Sequence, residues 1–347
     1  MKKRVYFLLP LALLALLTSC DKEMSDAQPL DGRIEFTGTA AVAQSSANGA
    51  TRGVEIDNAT LQNFKVFAYY TNPGMFDATS KPNFMYNIPV AKTGVGGAWQ
   101  YDPLMYWPNS GAISFFAYAP ATIPTLQVST VTTPGPLKLT YTVPNTVSDQ
   151  LDLMVATPQY NKTSADLNAE RKLIIPFKHA LSSIVFQAKM TDRAVAPITA
   201  VNIDQISISG LQDKADYLYN GAAIPWRTTP DSKLDNYIMA VGSGLKNVDL
   251  KNQVANYLPL STDNGHLMVL PQIVNNSSNI EVSVVFTGSA GSSRIRADLV
   301  KLIPGGQLQS GKRYIIKILV SLPPAQATLT CTAVDWIGKN VDVPQFD

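Results

Sequence analysis

The chain has 347 residues, with 28 Lys and Arg against 26 Asp and Glu, two histidines and two cysteines. That length accommodates two domains of ordinary size. A formal charge of +2 and the absence of a basic cluster with interleaved aromatics exclude nucleic acid as an expected partner.

At the start, Lys2-Lys3-Arg4 precede an apolar run of about 13 residues, Val5 to Leu17, which ends in Leu17-Thr18-Ser19-Cys20. A basic segment, an apolar core and small residues before a cut mark a signal peptide over 1–19. The run is short of the roughly 20 residues a spanning helix needs. An ordinary signal peptide and a single membrane anchor are the rival readings. A cysteine at the cut favours a bacterial lipoprotein signal, with Cys20 acylated (palmitate included) after cleavage. More than one acyl chain holds stably where one is marginal. The first 19 residues hold three basic groups and no acidic one, so the remainder carries 25 basic against 26 acidic residues. Cys331 is then the one free thiol, and with no internal disulfide the fold must rest on its cores.

Residues 20–32 read as a polar tether. From Arg33 to Val42 the chain alternates, with Ile34, Phe36, Ala40 and Val42 on one face and Glu35, Thr37, Thr39 and Ala41 on the other. This predicts a first strand over 33–42. The small polar residues 44–52 predict a loop open to a protease, ending at Arg52-Gly53. Strand signals then recur at 64–70, 113–118, 137–141, 181–189, 201–208, 280–286 and 314–322, separated by Gly, Pro, Asn and Asp. Helix-period runs are almost absent. The expected fold is therefore all-β, built of sandwiches. The polar stretch 161–171 reads as a short helix or linker, and the domain boundary is placed there: 33–168 and 169–347. After Pro323-Pro324 a tail over 325–347 alternates again, with Ala327, Leu329, Cys331 and Ala333 on one face, followed by Val334 and Trp336.

Sites for chemistry are scarce. His179 and His266 have no partner at metal-ligand spacing, so both read as hydrogen-bonded structural imidazoles. No Gly-x-Ser-x-Gly elbow is present. Cys331 reads as a small buried apolar group. Gly306–Lys312 has phosphate-loop spacing but continues into Arg313 and a strand, where Ser or Thr and a helix are needed. It reads as a hairpin turn. The carboxylates Asp149 and Asp152 show no apolar pocket around them in sequence. Trp99, Trp107 and Trp226 could stack sugars, but read more readily as core or edge-capping residues. Neither metal nor cofactor is expected, and no enzyme.

The ordered segments resemble a known family. Trp99, Tyr106-Trp107-Pro108 and Ile113–Pro120, then Asp152–Ala156, Ile175–Ser182, Leu270-Pro271-Gln272 and Gly311–Tyr314 resemble marks of Bacteroides-type fimbrillin-like proteins. The resemblance covers nearly the whole chain after Cys20. It implies two transthyretin-like β-sandwich domains in tandem and a structural role in a type V pilus at the cell surface. It also implies export as an outer-membrane lipoprotein, removal of the first strand by an Arg-specific protease, and acceptance of a strand from another subunit. The partners expected are other fimbrial subunits, outer-membrane lipid through Cys20 and that protease; a host protein or glycan is the partner under the alternative of an adhesin.

The residues suit this scheme. A sandwich that loses a strand exposes an apolar slot and unpaired backbone, which favours strand addition. The tail is a candidate donor. It also reads as the last strand of its own domain. A tip adhesin, a surface-anchored glycan- or protein-binding lipoprotein, or an anchor subunit are the alternatives. The lipid expectation is checked directly: Cys20→Ala should abolish labelling by a metabolic acyl probe and remove the protein from the cell surface.

Overall fold

The computed structural model describes residues 32–40, 55–94, 96–219, 225–262, 265–288, 291–322 and 327–336. Cys20, Val42, Arg52, Gly53 and Pro323-Pro324 lie outside the described residues, as do the signal segment and the 44–52 loop.

The first half of the chain forms β1 (Phe36–Ala40), β2 (Asn63–Thr71), β3 (Met85–Lys92), β4 (Trp99–Gln100), β5 (Ala112–Ala119), β6 (Leu126–Val128), β7 (Lys138–Thr142), β8 (Met154–Ala156), β9 (Gln159–Lys162) and β10 (Leu173–His179). The second half forms β11 (Ser182–Met190), β12 (Ala200–Gln212), β13 (Lys214–Leu218), β14 (Trp226–Thr228), β15 (Leu234–Val241), β16 (Gly244–Leu245), β17 (Leu258–Pro259), β18 (Leu267–Val269), β19 (Asn279–Thr287), β20 (Ser292–Asp298), β21 (Lys312–Val320) and β22 (Ala327–Asp335). Among the described residues helix is confined to one turn, α1 (Leu299–Leu302), and short 3-10 turns. The protein is all-β, and each of the seven apolar runs predicted after the first strand forms a strand.

Four sheets organise these strands. The first runs β1-β10-β8-β5-β2-β3-β4, with β9 on β5. The second runs β17-β11-β21-β22, with β18 on β11, and the third β16-β15-β12-β19-β20. The fourth, β14-β13-β7-β6, draws strands from both halves of the chain. Most ladders are antiparallel, but β1–β10, β11–β21 and the short β15–β16 are parallel.

Two hydrophobic cores explain why β2 and β5 read as continuous apolar runs. Successive side chains of a strand point to opposite faces. Phe64, Val66, Ala68, Phe115 and Ala117 enter one core. Phe67, Tyr69, Phe116 and Tyr118 enter the other, which also holds Phe186, Ile206, Trp226, Val282 and Ile316 from the second half. Tyr219 adds a polar tie, its hydroxyl donating to the Ala117 carbonyl at 2.7 Å.

Sheet membership departs from the expected division at 168/169. Residues 173–179 form β10, which lies between β1 and β8 in the first sheet. The chain enters the second sheet at Ser182. The polar stretch before β10 holds β9 and a 3-10 turn over Ser164–Asp166, closed by a reciprocal Thr163–Asp166 capping box. The segment 306–312 is not a hairpin turn. It is the last part of the connection from β20 of the third sheet to β21 of the second, after α1 and a 3-10 turn over Pro304–Gly306. In β12 the register shifts between Ser209 and Leu211. Gly210 has φ +81 there, and a Cβ would meet the Ser277 carbonyl oxygen at 2.9 Å, so glycine is required.

Phe116 is the aromatic hub of the shared core, with ring contacts to Tyr69, Phe76, Tyr160 and Tyr219 at 5.2–5.7 Å between centroids. Phe116→Ala should destabilise the protein by about 3–5 kcal/mol, measured by urea unfolding.

Candidate functional site

The candidate site has two parts: the first strand in its slot, and the tail on its sheet. Ile34, Phe36 and Ala40 are 0%, 2% and 4% exposed, so the face predicted for the first strand points inward. β1 has one strand neighbour, β10, in five parallel register pairs from Phe36–Leu173 to Ala40–Phe177. Its N-terminal approach is held on the other side. The Ile34 N–H donates to the Met105 carbonyl at 2.8 Å, and the Tyr101 hydroxyl donates to the Ile34 carbonyl at 2.7 Å.

The slot is aromatic. Phe36 meets Tyr101, Phe115 and Phe64 at centroid distances of 5.3, 5.9 and 6.1 Å. Gly38 lies on the same face, and a Cβ there would approach the Trp99 ring to 3.0 Å and Phe64 to 3.2 Å. The absent side chain lets those rings close over the strand. Burial of Ile34 and Phe36 contributes roughly 1.5–3 kcal/mol each.

The tail is held less deeply. β22 pairs with β21 through nine antiparallel register pairs, Lys312–Asp335 to Val320–Ala327, and β21 is its one strand neighbour. Ala327, Leu329 and Cys331 turn toward the core but are only half-buried, and Ala333 is exposed. Val334 is half-buried on the opposite face, in register with Arg313. Burial pushes the Cys331 thiol up to about 12, so it carries no thiolate near neutrality. Trp336 follows the strand and is fully buried. Its backbone N–H donates to the Gly311 carbonyl at 2.7 Å, and its ring stacks on His179 at 4.1 Å with 1° between planes.

His179 leads into a buried polar cluster that spacing along the chain did not reveal. Its Nδ1 donates to Asp152 Oδ1 at 2.9 Å, and Asp152 Oδ2 accepts the Ile56 N–H at 2.7 Å. Asp152 thus lies in a buried junction, against the expectation that it had no apolar surroundings; Asp149 is exposed. Beside it, Glu55 Oε1 accepts from His266 Nδ1 at 2.5 Å and from the Arg313 guanidinium. Burial alone would raise the Glu55 carboxyl. The hydrogen bond and charge of His266, with the charges of Arg313 and His179, outweigh that and lower it to about 2. Both histidines therefore serve as hydrogen-bonded structural groups.

The tryptophans are packing residues as well. Trp226 is buried and donates to the Ala180 carbonyl at 2.8 Å. Trp99 covers Phe64, and Trp107 meets Phe115 edge-on. No group of three or more metal-ligating side chains occurs among the described residues. None of their helices is long and apolar enough to cross a membrane.

The clues to the cluster were charged or polar residues inside apolar runs: Glu55 between Val54 and Ile56, Asp152 between Leu151 and Leu153, Arg313 at the head of β21. Pairing among them spans up to 258 positions, beyond any local pattern.

The described residues thus form an all-β fold with a deeply buried edge strand, β1, in the first sheet and a shallow edge strand, β22, in the second. The fimbrillin-like family model matches residues 51–336, and the chain belongs to that family. It is similar in fold to a fimbrial protein from Bacteroides vulgatus, at TM-score 0.64 and 18% identity, covering 88% of this chain and 99% of that one. A candidate cell adhesion protein from Bacteroides uniformis aligns at TM-score 0.55 and 18% identity, covering 89% and 100%. Another from Bacteroides ovatus aligns at 0.53 and 15%, covering 89% and 99%. No curated protein matches the chain.

The depressed Glu55 carboxyl makes a signed pH prediction. Its stabilisation is complete above the unfolded value near 4.5 and is lost as pH falls toward about 2. At pH 7, Glu55→Gln leaves Arg313 buried without its counter-charge and should cost about 3–5 kcal/mol. Urea unfolding should show the gap between the two proteins narrowing from pH 4.5 downward.

Proposed function

We propose that this protein is a structural subunit of a cell-surface fimbria, a type V pilus, that assembles by exchange of strands between subunits. The precursor travels as a lipoprotein anchored in the outer membrane through Cys20. An Arg-specific protease cuts between Arg52 and Gly53. The first strand, carrying Ile34, Phe36, Ala40 and Val42, then leaves. The vacated slot receives the tail of another copy or of a related subunit, with Leu329, Cys331, Ala333, Val334 and Trp336 as the donor side chains. The role is structural rather than enzymatic.

One observation carries this reading: the two edge strands are buried to different depths. β1 fills an aromatic slot completely, while the inward residues of β22 stay half-buried on their own sheet. A tail moved into the slot of a neighbour gains apolar burial that its own domain does not supply. Backbone pairing adds about 0.5–1.5 kcal/mol per net hydrogen bond. Exchange from one subunit to the next does not close on itself, so it builds a filament. Membership of the fimbrillin-like family and the shared fold of the Bacteroides vulgatus fimbrial protein support the same assignment.

The N-terminal residue of protein recovered from the cell surface should be Gly53. Arg52→Ala should leave a monomeric full-length precursor after exposure to the protease. Deletion of 325–347 should permit cutting but stop the chain acting as donor. Polymers formed normally by the tail-deleted protein would refute the exchange.

A further inference from the structure

We propose that the turn over 55–61 and the Asp152–His179 pair form a latch that makes release of the tail depend on loss of the first strand. This inference rests on the strand-exchange reading and assigns its regulation to particular residues.

The contacts form one continuous path. At the end of β1, the Ala40 N–H donates to Asn58 Oδ1 at 2.5 Å. Asn58 belongs to a tight turn in which Asp57 Oδ1 accepts the N–H groups of Ala59 and Thr60 at 2.9 and 2.8 Å. The Leu61 N–H closes the turn on the Asp57 carbonyl at 2.8 Å. The same turn begins at Ile56, whose N–H is held by Asp152. Asp152 orients the His179 ring, and that ring is the surface on which Trp336 lies flat. One carboxylate therefore ties the segment gripped by the first strand to the aromatic residue that follows β22.

Two features argue that the tail is pinned at this end. Its inward side chains along β22 are only half-buried, so most of its length contributes little apolar anchoring. Trp336, by contrast, is 2% exposed and its ring stack is nearly parallel. Loss of β1 removes the Ala40–Asn58 bond. The turn then has one fewer contact fixing its position against Asp152, and the His179 ring loses part of what orients it. A stacking partner free to rotate holds Trp336 less well. The tail becomes available only in a subunit whose own slot is already open, which prevents premature donation by uncut precursor.

Hydrogen exchange of the soluble chain, residues 21–347, tests this, followed by mass spectrometry of peptides from β22 with peptides from β12 and β19 as internal reference. In the uncut wild type the β22 amides should be protected. In uncut Asp152→Asn they should exchange about tenfold faster, with the reference peptides unchanged. Trp336→Ala should match Asp152→Asn, and Trp336→Phe, which keeps a ring over His179, should lie nearer the wild type. Cutting the wild type after Arg52 and isolating the monomer should raise β22 exchange similarly. Unchanged β22 exchange in Asp152→Asn and Trp336→Ala would overturn the latch, and so would a parallel rise in β12 and β19, which marks general destabilisation. Fast β22 exchange in the variants with none on cutting would overturn the coupling to β1. A tail that loosens on cutting in protein that stays monomeric beside its partner subunits would instead refute strand exchange and leave the latch intact.

Discussion

Asp152 is the constraint on which the junction of this molecule depends. A buried carboxylate is tolerated only when its oxygens are satisfied and its charge is met. Here one oxygen bonds the His179 ring and the other the Ile56 backbone, so the carboxylate fixes three separated stretches of chain at once. His179 ends β10 of the first sheet, and Ala180 then leads into β11 of the second. The Ala180 carbonyl accepts from Trp226 and Ser310, which closes the fourth sheet and the 306–312 connection onto the same point. Glu55, His266 and Arg313 form a second buried ionic group beside it. Buried charges of this kind contribute little net stability compared with well-packed apolar groups, but they penalise any arrangement that separates them.

That penalty holds the junction together between the two edge strands β1 and β22. Edge strands normally carry devices that discourage pairing with other chains. The inward face of β1 is covered by aromatic side chains, and the residues leading into it are held by the 101–107 segment. Among the described residues β22 has a strand neighbour on one side, β21, and its outward positions are occupied by Thr328, Thr330 and Thr332, all exposed. Threonine favours extended backbone without adding an apolar surface that would aggregate. The tail is thus suited to strand pairing while its outward face remains polar.

The cores set which parts can move. Phe64, Val66 and Phe115 form the floor of the slot on one face of the first sheet, and Phe67, Tyr69 and Phe116 anchor the other face in the shared core. The inward residues of β1 belong to the first of these cores alone, so the second face of the sheet is packed independently of them.

Much of this was legible in the chain itself. Period-two runs located the strands, including the inward set Ile34, Phe36 and Ala40, because strand geometry is local and alternation follows from it. His179 read as a hydrogen-bonded structural imidazole and does bond Asp152, whereas Cys331, read as a small buried apolar group, is only half-buried. Tertiary structure alone decided that β10 joins the first sheet, that 306–312 lies in a connection between sheets, and that β7 pairs with β13 of the second half. It alone brought Asp152, His179, Arg313 and Trp336 together, although the segments holding the first three had each stood out as motifs. Sheet partners and buried ion pairs join residues far apart along the chain, and their selection depends on which surfaces the whole fold removes from water.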